Sequence, residues 1–296
     1  MKRQSRVVVA KLVGGLGNQL FIYFAALKFA EEHQRELILD ISFIEQAHSL
    51  GESRLDSFLL DGKVVERSRG GKKSIEIWER FGDALALRGF KYLNRNYCDE
   101  ASFKDARWAE HSNSVYLRGF HNTTEHYESL GRPRLKLKKE SSEFKSLQSE
   151  ISEKVAIHIR GGDYVTHSDT FGPLSQRYYL NSLTLNNEVN RLAKSHGVYL
   201  FSDDRYRSAL VSKELACQGY KVVDVSFEHN FAPAEELLLI SSARATVMAN
   251  STFSFWASEF SDNRTTIIAP SNYTRSGGAV EFESARKRII NQSEWE

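Results

Sequence analysis

From Val155 onward, short β-branched runs alternate with helix-length apolar segments, and few folds accommodate that alternation. Val155, Ile157 and Ile159 alternate with Ala156 and His158 as a strand does. A helix is expected over Leu180–Ser195, a strand over Gly197–Phe201 and a helix over Arg205–Cys217. Next come a strand over Tyr220–Val225, a helix over Ala234–Ser242, a strand over Ala245–Ala249 and a helix over Phe253–Phe260, with Thr265–Ala269 as the last strand. Strand and helix in regular alternation predict a parallel, doubly wound α/β sheet.

The start of the chain repeats the theme. Arg6–Val13 reads as a buried strand, Gly14–Gln19 (G-G-L-G-N-Q) as a glycine loop, and Gln19–His33 as a very apolar helix, with Glu36–Asp40 as a second strand. Gly15 and Gly17 let backbone N–H groups approach an anion, and a helix N-terminus favours negative charge. Gly15-Leu16-Gly17 with Asp40 further on imitates part of a dinucleotide fingerprint, but Leu20 stands where the third glycine belongs. NAD binding is therefore a weak alternative. Between Ser42 and Arg107 the pattern blurs.

Gly, Pro, Lys, Ser and Glu crowd together between Ser129 and Ser152. That stretch divides the 296 residues into an expected N-terminal domain, 1–140, and a C-terminal domain, 141–296. The net charge of +2 gives no reason to expect nucleic acid. The basic run Arg132–Lys139 (R-P-R-L-K-L-K-K) reads either as a solvated face or as a patch for anionic lipid. Cys98 and Cys217 match no metal or redox spacing, which fits a reducing compartment. No apolar run reaches the roughly 18 residues of a membrane span, so the expected location is the cytoplasm. Peripheral contact on the inner face of the plasma membrane goes with the lipid reading.

Three strand ends of the second half carry polar clusters: His158, Arg160 and Asp163; Ser202, Asp203 and Asp204; Asn250, Ser251, Thr252 and Ser254. A parallel sheet places all three on one edge, where ligands of open α/β sheets bind. Arg160 and Asp163 flank Gly161-Gly162, either as an ion pair pinning a loop or as part of a site. An arginine for diphosphate, a carboxylate for a base or ribose, and hydroxyls at a helix N-terminus suit a nucleoside diphosphate. Asp203-Asp204 is adjacent rather than D-x-D, and no cluster has metal spacing, so no metal is expected.

Four ordered motifs carry a resemblance: G-G-L-G-N-Q-L-F-x-Y near the start, then H-I-R-G-G-D-Y-V, F-S-D-D, and N-S-T-F-S-F-W-A-S. Together the chain resembles the bacterial and animal α1,2-fucosyltransferases, glycosyltransferase family 11. The resemblance implies a GT-B-like architecture of two Rossmann-like domains with parallel sheets facing across a cleft. GDP-fucose would sit mainly on the C-terminal domain, and a galactose-containing, lipid-linked acceptor glycan would come from the N-terminal side. Transfer to a galactoside 2-OH would proceed with inversion and without a metal or other cofactor, in surface polysaccharide or O-antigen synthesis.

Carried over by motif, Arg160 would hold the diphosphate, and His158 with one of Asp203 and Asp204 would recognise guanosine. Asn250, Ser251, Thr252 and Ser254 would serve the phosphate side, and Asn18 and Gln19 would face the donor from the other domain. Asp163 and Asp169 are the carboxylates nearest the arginine and the candidates for a base. The alternatives are a fucosyltransferase of another linkage and a non-catalytic nucleotide-binding or NAD-binding protein. Two positions depart from the family pattern. Gly161 replaces the second arginine of H-x-R-R-x-D, and Phe255 replaces the first tryptophan of S-W-W. Either the turn at 161 needs a backbone angle that only glycine adopts easily, or a second arginine has been lost, whether uncompensated or replaced from elsewhere by Arg118 or Arg205.

Overall fold

A computed structural model of the protein describes residues 6–41, 55–65, 97–98, 103, 112–164, 169–276 and 288–295. The chain divides into two compact units, Met1–Leu135 and Lys136–Glu296. Most of the blurred stretch from Ser42 to Arg107 lies outside the described residues.

The first unit holds β1 (Val7–Lys11), β2 (Glu36–Asp40), β3 (Lys63–Val65), β4 (Tyr97–Cys98) and β5 (Ser114–Leu117). They form one parallel sheet in the order β3-β2-β1-β5-β4. Helix α1 (Leu16–Glu32) joins β1 to β2 and is buried on most of its surface, as its apolar sequence requires. It begins earlier than the sequence indicates, with Gly15 as its N-cap. Gly17 and Asn18 therefore belong to its first turn, and Leu16, only 2% exposed, fixes the entry. A short helix, α2 (Glu125–Ser129), packs against α1. At the other end of the sheet the Arg35 guanidinium donates to Val7 O (3.2 Å) and Ser112 O (2.8 Å), tying the starts of β1 and β5 together.

The second unit opens with α3 (Ser142–Ile151), capped by Ser141 Oγ, which accepts from Phe144 N–H at 3.0 Å. Its strands are β6 (Val155–Ile159), β7 (Val198–Ser202), β8 (Val222–Asp224), β9 (Ala245–Val247), β10 (Thr266–Pro270) and β11 (Ile289–Asn291). All pair in parallel, in the order β11-β10-β9-β6-β7-β8. The chain lays β7 and β8 on one side of β6, then crosses back to lay β9, β10 and β11 on the other. The order reverses between β6 and β9, and the crevice at such a reversal is where doubly wound sheets take nucleotides.

Two expectations fail locally. The single helix over Leu180–Ser195 is two helices, α4 (Gln176–Thr184) and α5 (Asn187–His196). Asn186 Oδ1 accepts from Glu188 and Val189 N–H at 2.8 and 3.2 Å, a cap strong enough to restart the helix. Thr265–Ala269 is not the last strand either, because β11 adds an edge beyond β10. The remaining helices are α6 (Arg205–Cys217), α7 (Val225–Glu228), α8 (Pro233–Ser242) and α9 (Thr252–Phe260). The core of this unit is Val155, Ile157 and Ile159 of β6 against Tyr178, Tyr179 and Leu183 of α4 and Leu200 of β7. The buried Tyr178 hydroxyl is satisfied by donating to Met248 O at 2.9 Å.

Candidate active site

The strands at the reversal, β6 and β9, and the neighbouring β7 deliver the polar residues. Arg160 comes directly after β6, and one Nη1 hydrogen bond joins it to Asp203 Oδ2 on the loop after β7. The other carboxylate oxygen, Oδ1, accepts from Gly161 N–H at 2.8 Å. Asp203 thus fixes both the side chain and the backbone of the arginine turn. The two glycines make that approach possible. Gly162 has φ +36°, and a Cβ there would stand 2.5 Å from Asp203 Oδ2. A Cβ on Gly161 would overlap the Asp204 side chain. The backbone angle is not what position 161 requires, since Gly162 and not Gly161 has the positive φ; instead, the space a larger residue needs holds a carboxylate. Arg205 lies over the Phe227 ring with Cζ 4.7 Å from its centroid, and Arg118 belongs to the first unit.

The adjacent aspartates do different work. Asp204 is the N-cap of α6, its Oδ1 accepting from Arg207 N–H at 3.1 Å, and Arg207 Nε stands 3.4 Å from Oδ2. Asp203 faces Arg160. Behind this turn, Ser202 N–H donates to Ser226 Oγ at 3.0 Å, and Ser226 is hydrogen-bonded to the Glu236 carboxyl. Burial pushes Glu236 up to about 7, with the negative charges of Asp203, Asp224 and Glu235 adding to the rise. In the sequence Glu236 reads only as an acid suited to a helix N-terminus. Its relation to Ser226 and the Asp203 turn joins three separate segments and has no local signal.

On the phosphate side, β9 ends near Asn250, and α9 starts at Thr252 behind its N-cap, Ser251. Ser251 Oγ accepts from Phe253 N–H at 3.2 Å, while helix geometry leaves other first-turn amides available to an anion. Asn250 is buried, and its Nδ2 lies 3.0–3.2 Å from the carbonyl oxygens of Phe171, Gly172 and Tyr273. It draws two loops onto the end of β9. Ser254 is wholly buried. Its hydroxyl accepts from Ala249 N–H at 3.0 Å and shares a 2.5 Å hydrogen bond with His158 Nδ1. Burial first, and the Arg160 charge second, push the His158 pKa down to about 3, so the imidazole is neutral near pH 7. His158 and Ser254 therefore pin α9 to β6 beneath the crevice.

The structure brings Arg160, Asp203, Asn250, Ser251 and Thr252 to one edge of one sheet, with His158 and Ser254 below. Asp169 is exposed on the loop after the arginine turn. The Asp163 side chain lies outside the described residues. In the first unit, Gln19 is buried, with Nε2 donating to Gly14 O at 2.9 Å and Oε1 accepting from Leu55 N–H at 3.2 Å. Gly14, at φ +74°, packs on Asn18, whose Nδ2 would lie 2.7 Å from a Cβ there. Asn18 and Gln19 thus pack the Gly14 end of this loop, with Leu55 as a partner from outside it, while the space beside Gly15 is open. Among the described residues, no group of three or more His, Cys, Asp or Glu side chains could hold a metal ion.

A guanidinium set by a carboxylate, opposite a helix N-terminus at the sheet reversal, can receive two negatively charged phosphates. The sequence model of Glycosyl transferase family 11 matches residues 91–296. The protein belongs to that family. An α-1,2-colitosyltransferase from Escherichia coli is 28% identical over 84% of this chain and 86% of its own length. The E. coli O-antigen biosynthesis glycosyltransferase WbnK is 26% identical over 83% and 87%. The fold agrees with that of fucosyltransferase NodZ from Bradyrhizobium, with a TM-score of 0.53 at 14% identity over 86% of this chain and 93% of that one. The family 11 chain is thus a glycosyltransferase with a GT-B-like fold of two Rossmann-like units. Its departure at Phe255 is also accommodated: the ring is buried, and Arg288 Cζ stands 4.7 Å from its centroid. No helix among the described residues is long and apolar enough to cross a membrane.

Proposed function

We propose that this glycosyltransferase moves L-fucose from GDP-β-L-fucose to the 2-OH of a terminal galactoside, with inversion and without a metal or other cofactor. The observation that carries the reading is Arg160, fixed by Asp203 at the sheet reversal opposite the N-terminus of α9. Displacement at the sugar's anomeric carbon leaves negative charge on the departing β-phosphate. Arg160 stays protonated and presents a planar fork to two phosphate oxygens. The amides of the first turn of α9 add donors already oriented before the reaction. Structures of NodZ with GDP and soaked with GDP-fucose, in a fold like this one, support a guanine nucleotide donor. Asp163 and Asp169 remain the proposed candidates for taking the acceptor proton.

The acceptor would be a lipid-linked surface glycan, as the relationship to WbnK supports. Leu135 and Leu137 turn inward while Arg134, Lys136, Lys138 and Lys139 are exposed. That alternation gives a basic strip suited to anionic head groups on the cytoplasmic face. A second reading, with colitose as the sugar moved, is favoured by the identity to the α-1,2-colitosyltransferase. Purified protein given GDP-fucose or GDP-colitose with a β-galactoside tests both. Acceptor-dependent GDP release and a product linked at the galactose 2-OH are expected. Release independent of acceptor, or another linkage, would overturn the reading.

A further inference from the structure

We propose that Tyr164 is the positioning residue that couples Arg160 to the β9–α9 side of the crevice. The inference rests on the diphosphate reading of Arg160. Tyr164 closes the short turn after Arg160, with its N–H donating to Gly161 O at 2.8 Å. That turn aims the ring back beneath the guanidinium, whose Cζ lies 5.2 Å from the ring centroid. The phenol then reaches across the reversal, and Oη donates to Asn250 O at 2.9 Å. Phe171 stacks on the ring at 5.2 Å between centroids and 26° between planes. The Phe171 carbonyl accepts in turn from Asn250 Nδ2 at 3.0 Å. Arg160, Tyr164, Asn250 and Phe171 thus form one connected set joining the two strand ends between which the phosphates would lie.

The chemistry fits a positioning role. A guanidinium over an aromatic face is attracted by the ring quadrupole. Asp203 holds one edge of the same guanidinium, so two constraints from different directions define its plane. A bidentate donor acts only when that plane matches the phosphate oxygens. The Tyr164 hydroxyl fixes the distance between the plane and the residue preceding the cap of α9. Both anion-binding elements are then held in register before the donor arrives, which favours the transition state over the ground state.

The test is a double-mutant cycle between Tyr164 and Arg160, read as GDP dissociation constant and as kcat for transfer. Tyr164→Phe keeps the ring and loses the hydroxyl, and kcat is expected to fall about threefold to tenfold with GDP affinity nearly unchanged. Tyr164→Leu loses both, and kcat is expected to fall about 100-fold, as for misplacement of an oriented group. In an Arg160→Lys background, Tyr164→Leu is expected to change kcat by less than about threefold, because its effect runs through the arginine. Full additivity of the two losses, or unaltered transfer by Tyr164→Leu, would overturn the inference. A wild type that binds GDP but transfers no sugar would count against the proposed function alone. The coupling would then be read from Tyr164→Leu, which removes the ring under the guanidinium. That change is expected to weaken GDP binding about threefold to tenfold in the wild type but less than about twofold in the Arg160→Lys background. Equal weakening in both would overturn the inference. A wild type that binds neither GDP nor inorganic pyrophosphate would overturn both.

Discussion

Gly161 packs against Asp204 so closely that a Cβ at position 161 would lie 2.8 Å from the Asp204 Cγ, inside van der Waals contact. Asp204 cannot swing aside without releasing Arg207 N–H at the start of α6. Restoring the family's second arginine by Gly161→Arg should therefore weaken the site. Overpacking of about 1–3 kcal/mol is expected, with about 1 kcal/mol more if the cap is lost. Calorimetry should show weaker GDP binding, and thermal unfolding a lower Tm. Tighter binding at an unchanged Tm would mean that the turn opens freely and that the glycine marks a lost cation.

Asp203 and Asp204 are neighbours in sequence with separable effects. Asp204→Ala removes a helix cap, and a loss of about 1 kcal/mol in denaturant unfolding is expected. Asp203→Asn removes a negative charge from an anion site while loosening Arg160, and these changes oppose each other in GDP binding. They do not oppose each other in the transfer step, which needs the oriented guanidinium. GDP affinity should stay within about threefold while kcat falls on the order of 10²-fold. Equal losses in affinity and kcat would show that Asp203 contributes to ground-state binding instead.

Stability should carry the signature of Glu236. Its pKa rises from the ordinary 4.5 to about 7, chiefly through burial, so between those values the native protein holds a proton that the unfolded chain has lost. That contribution to stability is complete below about pH 4.5, declines as pH rises, and is gone above about pH 7. Glu236→Gln keeps a hydrogen-bonding group for Ser226 and removes the titration. The Tm of the variant relative to wild type should rise between pH 5 and about pH 7 and then level off. A constant difference across that range would place the Glu236 pKa near its ordinary value.

The strand-end clusters were legible because parallel strands broadcast themselves as β-branched runs, and the residues after each run land on one edge. Arg160, Asp203 and the Asn250–Thr252 turn each follow such a run. The break at Asn186 is not legible because capping residues also occur inside apolar periodicity, and the cap is decided by where the side chain points. Tyr164 and Glu236 carry no such signal, for another reason. Their partners, Asn250 and Ser226, lie on other segments, and only the folded sheet places them together. The sequence raised the right question at Gly161 but held no clue that Asp204 fills the space.

The hydrogen bond between His158 and Ser254 makes a different prediction from the role in guanosine recognition implied by the motif. The Ser254 hydroxyl bridges Ala249 N–H and His158 Nδ1 in a buried place, so each partner depends on the other two. His158→Phe fills much of the volume, packing against the Phe253 ring as the tilted imidazole does at 5.0 Å between centroids, but leaves the serine hydroxyl with one partner fewer. A loss of about 1–3 kcal/mol is expected, as for an unsatisfied buried polar group. Ser254→Ala strands both His158 Nδ1 and Ala249 N–H and should cost at least as much. The double variant should be less destabilised than the sum, by about 1 kcal/mol, because one hydrogen bond is counted in both single changes. The histidine pKa, lowered from 6.5 to about 3, adds a pH dependence of its own. Its contribution is present above about pH 6.5 and is lost as pH falls toward 3, because the unfolded chain takes up the proton first. Urea unfolding at pH 7.5 and pH 5 should therefore show the wild type losing more stability on acidification than His158→Phe. Equal acid sensitivity in the two proteins, together with additive losses at pH 7.5, would mean that His158 does not anchor α9 and stands ready to contact the donor.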